Sequence, residues 1–82
     1  MKNNFDENYF KTSDLALATT LSLYFPVIAT DRTNPPRVMF VFDRTPQLDQ
    51  LVERFWRKEI TVDPQTFANQ IKNLKTRIYS GE

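Results

Sequence analysis

Arg37-Val38-Met39-Phe40-Val41-Phe42-Asp43 is the stretch on which the fold turns. It is short, β-branched and aromatic. Asn34-Pro35-Pro36 precedes it as a loop signal and Thr45-Pro46 follows it as a helix start, so it reads as a strand. Alternation places Val38, Phe40 and Phe42 on one face and Met39 and Val41 on the other. Both faces are apolar. That predicts cover on both sides, by helices of the same chain or by a second copy of it.

Working outward, Val27-Ile28-Ala29-Thr30 is a second strand candidate, and Asp31-Arg32-Thr33-Asn34-Pro35-Pro36 is a loop by its turn residues. The loop is too long for a tight turn and too short for a crossover helix, which predicts an antiparallel hairpin. Tyr9-Phe10-Lys11-Thr12 is a shorter strand candidate. Thr12 or Ser13 then serves as N-cap for a helix from about Asp14 to Tyr24, stopped by Phe25-Pro26. Beyond Asp14 its polar residues are only Thr19, Thr20 and Ser22, so this helix is expected to be largely buried.

Thr45-Pro46 opens a second helix that runs to near Lys58-Glu59, with Leu48, Leu51, Val52 and Phe55 on one face. Ile60-Thr61-Val62 is either a link or a short extra strand. Asp63-Pro64 repeats the start signal for a last helix striped by Phe67, Ile71, Leu74 and Ile78, with Gly81 as its stop. The expected fold is α+β: a small antiparallel sheet centred on a β-hairpin, with three packed helices, in the order β-α-β-β-α-(β)-α.

Eighty-two residues make one domain, expected over 9–82, with 1–8 (MKNNFDEN) as a disordered tail. A chain of this size buries only about 60–65 % of the surface its unfolded form exposes. It has no cysteine, so disulfides and thiolate zinc sites cannot add stability, and oligomerisation is the remaining source of burial. No leader-like apolar segment opens the chain, and no run approaches the roughly 18 apolar residues of a membrane span. The expectation is a cytoplasmic protein without membrane contact.

Phe10-Lys11-Thr12-Ser13-Asp14-Leu15-Ala16-Leu17-Ala18, Val38-Met39-Phe40-Val41-Phe42, Phe55-Trp56 and Leu74-Lys75-Thr76-Arg77-Ile78-Tyr79 together resemble a family of short, uncharacterised prokaryotic and phage-type proteins. The resemblance spans most of residues 9–79. That family is a domain of unknown function, so the resemblance implies a single complete domain and no activity, ligand or functional residue.

With neither histidine nor cysteine, the chain lacks the commonest general base, metal ligand and soft nucleophile. A single glycine excludes glycine-rich phosphate loops. The best carboxylate pair, Asp31 and Asp43, is expected at opposite ends of the hairpin, about 20 Å apart, too far for a shared metal or an acid–base couple. The reading is a non-enzyme with no catalytic residue, metal or cofactor.

Two surfaces remain. Arg54, Arg57 and Lys58 end the second helix, and Lys72 and Lys75 lie on neighbouring turns of the last. With Trp56, Tyr79 or Phe25 for base stacking, these residues are candidate nucleic-acid contacts. Cations near a helix C-terminus are also what the dipole favours, and a net charge of +1 does not demand a nucleic acid. Met39, Val41 and Trp56 are the candidate protein interface: two on the second face of the hairpin, one beside the apolar stripe of its helix. The expected function is a self-associating, homodimeric protein-interaction module. The alternative is a small nucleic-acid-binding accessory protein.

Overall fold

The structure, a computed structural model, describes residues 8–80. Of the expected tail at 1–8, residues 1–7 lie outside the described residues, as does the expected stop at Gly81. The Asn8 carbonyl accepts a hydrogen bond from the Arg44 N–H. The elements run β1 (Tyr9–Thr12), α1 (Leu15–Ser22), β2 (Ala29–Asp31), β3 (Met39–Asp43), α2 (Pro46–Trp56) and α3 (Pro64–Ser80). They make an α+β domain with a three-stranded antiparallel sheet in the order β1-β3-β2. The Phe40-Val41-Phe42 stretch is therefore the central strand.

β1 joins the sheet, with Phe10 opposite Phe42 and Thr12 opposite Phe40. Ile60-Thr61-Val62 does not. It stays outside the sheet as a link, with Ile60 and Val62 half-buried. β2 begins two residues later than its apolar run suggests. Pro26 has no N–H to give, and pairing starts only where the Ile28 N–H reaches the Val41 carbonyl.

All helices pack on one face of the sheet. Phe10, Phe40 and Phe42 from that face join Leu17, Ala18 and Leu21 of α1, Leu48 and Val52 of α2, and Leu74 of α3 in a single core. α1 is the middle helix, in contact with both α2 and α3. This position explains its hydroxyl-only polar side. Thr19 and Thr20 are buried and donate to the Leu15 and Ala16 carbonyls, so neither hydroxyl is left unsatisfied. Ser22 donates to the Thr19 carbonyl and accepts from the Gln70 side chain of α3. The cap of α1 is Asp14, not Thr12 or Ser13. Its carboxylate accepts from the Leu17 N–H, while the Thr12 hydroxyl, buried one step back, accepts from the Asp14 N–H.

Thr45 caps α2 by accepting from the Leu48 N–H, and Asp63 caps the start of α3 by accepting from the Thr66 N–H. α2 ends at Trp56, short of Lys58-Glu59, because Lys58 turns left-handed (φ 62°). Lys58 N–H bonds the Phe55 carbonyl and Glu59 N–H the Arg54 carbonyl, the two bonds of a Schellman stop. Glycine is the residue that stop prefers. Lys58→Gly is expected to raise stability by roughly 1 kcal/mol by relieving the left-handed penalty. A urea midpoint at or below that of the unaltered protein contradicts this reading.

Candidate protein-interaction site

The second face of the sheet carries no helix. Alternation and register place Tyr9 and Lys11 of β1, Met39, Val41 and Asp43 of β3, and Ala29 and Asp31 of β2 on it. Of the two covers expected, helices of the same chain lie on the Phe40 and Phe42 face alone. Val41 is nonetheless just 7 % exposed and Met39 is half-buried. The cover comes from the sheet itself. Lys11 lies opposite Val41 and Asp31 opposite Met39, on strands that flank β3. The Lys11 ammonium donates to Asp31 at 2.9 Å, so the ion pair bridges the central strand between those two side chains.

Tyr9 and Ile28, both about two-fifths exposed, border the same shallow concavity as Val41, Lys11 and Asp31. No helix residue lines it. The face is therefore an apolar patch with one straddling pair of opposite charges. Val41 was expected as an exposed anchor, but it forms the floor of this patch, and the accessible apolar atoms belong to Tyr9 and Ile28. Sequence reading missed those two and the ion pair. Period-two spacing marks Tyr9 and Lys11, but only the register brings Lys11 to Asp31.

The hydroxyl of Thr33, the ammonium of Lys11 and the Thr33 N–H all stabilise ionised Asp31 and hold its pKa well below the usual carboxylate range. The Thr66 N–H and hydroxyl lower Asp63 in the same direction. Both groups favour the fold when ionised. Their contribution is fully present above the unfolded value of about 3.9 and is lost as pH falls through the lower folded values. Urea midpoints are expected to stay level from about pH 7 to about pH 5 and to fall below about pH 4, with a shallower fall in Asp31→Asn. An Asp31→Asn acid limb that overlays the unaltered one contradicts the assignment.

Asp31 and Asp43 stand apart. Asp31 is level with Met39, four residues from Asp43, or about 13 Å along the strand. The expected spacing of about 20 Å was too long because β3 begins at Met39 and not at Arg37, which brings Asp31 two residues nearer to Asp43. No group of three or more carboxylates able to hold a metal occurs among the described residues.

Trp56 is 60 % exposed at the end of α2 and meets Phe55 edge-to-face at 5.0 Å. Arg54, Arg57 and Lys58 are exposed around it, and Arg57 pairs with Glu53 at 3.3 Å. Lys72 and Lys75 are exposed on α3. Since α1 lies between α2 and α3, the two basic groups sit on helices that flank a third. Of the remaining stacking candidates, Tyr79 is exposed and Phe25 packs against the core.

A family model described as a domain of unknown function, DUF5659, matches residues 7–80, which takes in every helix and strand above. The chain belongs to this family. The DUF5659 description assigns neither activity nor ligand, so function has to come from the surface of the domain. No curated protein and no solved structure matches the chain. Among the described residues of this DUF5659 domain, no helix is long and apolar enough to cross a membrane.

Proposed function

We propose that this DUF5659 domain is a non-enzymatic protein-interaction module that forms a homodimer through the open face of its sheet. The observation that carries the proposal is the one-sided helix layer. It leaves Tyr9, Ile28, Met39 and Val41 on a face crossed by the Lys11–Asp31 pair of opposite charges, with Asp43 and Arg32 at its edges. A second copy suits this arrangement. A two-fold axis parallel to β3 and midway between the two facing sheets lays the β1 side of one copy over the β2 side of the other. Each Lys11 then approaches the other copy's Asp31, the self-complementarity a two-fold interface requires. The setting is prokaryotic or phage, on the resemblance of the sequence. The cysteine-free composition suits the reducing cytoplasm.

Three short strands at about 4.8 Å spacing make a small patch, so the dimer belongs to the weak, concentration-dependent class and not to the obligate one. Sedimentation velocity over a dilution series tests this. The mass is expected to rise above one chain of 9.7 kDa as concentration increases. Ile28→Glu and Tyr9→Glu, both at accessible positions, are expected to hold the mass at one chain with an unchanged circular-dichroism spectrum. Val41 is a poor place for the test, because a charge at so buried a position perturbs the sheet itself. A wild-type mass of one chain up to about 1 mM overturns the proposal.

The nucleic-acid alternative rests on Arg54, Arg57, Lys58, Lys72 and Lys75. It has less support, because these residues are divided between helices on either side of α1 and Arg57 is already paired.

A further inference from the structure

The last helix is charged differently from the rest of the domain. Of the eleven lysines and arginines of the chain, α3 holds Lys72, Lys75 and Arg77, and of the ten carboxylates it holds none. The small positive net charge is therefore gathered here, since the remainder of the chain has more carboxylates than cations. Helical spacing puts Gln65, Asn69, Lys72, Lys75, Thr76 and Tyr79 on one face of α3, and all six are exposed. Leu74 and Ile78 take the opposite side, against the core. Neither lysine has an ion-pair partner among the described residues. The helix dipole accounts for Arg77 in the last turn, but Lys72 lies more than a turn before it.

Two further observations point to an anionic ligand. A helix C-terminus repels phosphate, yet the Arg77 and Ile78 carbonyls accept from the Arg32 guanidinium, so a positive charge covers that pole. Asp31, next to Arg32, is already engaged by Lys11 and Thr33. Tyr79 stands one turn beyond Lys75 and is 83 % exposed, more than any other large apolar side chain among the described residues.

We infer that the outer face of α3 binds a single-stranded nucleic acid, a ligand separate from the second copy on the sheet face. Lys72 and Lys75 meet backbone phosphates, Arg77 adds to the field at the end of the helix, and an unpaired base stacks on Tyr79. The Gln65 and Asn69 amides extend the same stripe with uncharged donors. A duplex fits less well, because its paired bases offer no face to Tyr79. An anionic membrane fits less well too, since it needs aliphatic side chains on the face that carries the lysines, and those of α3 turn inward. Arg54, Arg57 and Lys58 take no part, because α1 lies between α2 and α3.

Fluorescence anisotropy of a labelled oligo-dT of about 15 nucleotides, alone and in duplex with oligo-dA, tests this. The single strand is expected to bind more tightly than the duplex. Its affinity should fall about tenfold between about 50 and about 150 mM salt, a slope of about −2 for three phosphate contacts. Reversing both charges, Lys72→Glu with Lys75→Glu, is expected to abolish binding with an unchanged circular-dichroism spectrum, because both positions are exposed. Tyr79→Ala is expected to weaken binding at least about fivefold and Tyr79→Phe to retain it, since the ring and not the hydroxyl does the stacking. Ile28→Glu, which disables the sheet face, and Arg54→Gln should leave it unchanged. Absence of binding at about 50 mM salt overturns the inference, as does binding that survives the double charge reversal. Duplex binding equal to that of the single strand overturns it too, and so does a loss in Arg54→Gln as large as in Tyr79→Ala. Capture by phosphatidylserine vesicles without binding of either oligonucleotide assigns the face to a membrane and overturns it as well.

Discussion

Phe42→Ala is expected to leave the domain with little or no stability. Phe42 is fully buried on the central strand, faces Phe10 across β1, and shares its core with residues of all three helices. Truncating a buried phenylalanine costs about 3–5 kcal/mol, because the transfer energy is lost and the cavity collapses only in part. A chain of this length has a total of only about 4–12 kcal/mol. Urea unfolding monitored by circular dichroism should show the midpoint near zero denaturant, or no folded baseline. Val41→Ala lies on the same strand but on the open face and outside that core, so its cost should be far smaller. Similar losses for the two variants contradict the one-sided core.

The second large effect is expected at Arg32. Its guanidinium donates to the Arg77 carbonyl at 2.7 Å and to the Ile78 carbonyl at 3.2 Å, both near the end of α3. This contact ties the loop after β2 to the last turn of α3, across 45 residues of sequence. It matters because α3 is the least buried helix, with Leu74 its sole fully buried residue among those described. Hydrogen bonds from a charged donor contribute about 1.5–3 kcal/mol, and the positive charge also meets the negative end of the helix dipole. Arg32→Ala is expected to cost about 2 kcal/mol and to speed amide exchange in the last turn of α3 ahead of the rest of the domain. Both bonds come from one nitrogen, Nη2, so Arg32→Lys, whose ammonium can also donate twice, should recover part of the loss. Unchanged exchange at the end of α3 contradicts this role.

These two residues also mark how far the sequence could be read. Phe42 was legible. The alternation Phe40-Val41-Phe42 between a proline loop and a Thr-Pro helix start is a local signal, and it identified both the strand and its core-facing side chains. The N-caps Thr45 and Asp63 were legible for the same reason, because a cap acts within one turn. Arg32 was not, because its partners are backbone carbonyls far along the chain and any residue could supply them. The cover over Val41 was hidden in the same way. An apolar side chain pointing away from the core looks in sequence like an exposed anchor or a second buried layer. It is here shielded by a cross-strand ion pair that exists only once the register of all three strands is fixed. Ile60-Thr61-Val62 left a link and an extra strand both open, since its β-branched pattern suits a strand, and the segment is a link outside the sheet.

The central claim is that the open face of the sheet meets a second copy of itself. Two-dimensional NMR of the amides through a dilution series tests it most directly. The account predicts concentration-dependent shifts at Tyr9, Lys11, Ala29 and Val41, with the amides of α3 unmoved and the dependence removed by Ile28→Glu. Spectra that superimpose at every concentration, or shifts confined to the helical side, contradict it.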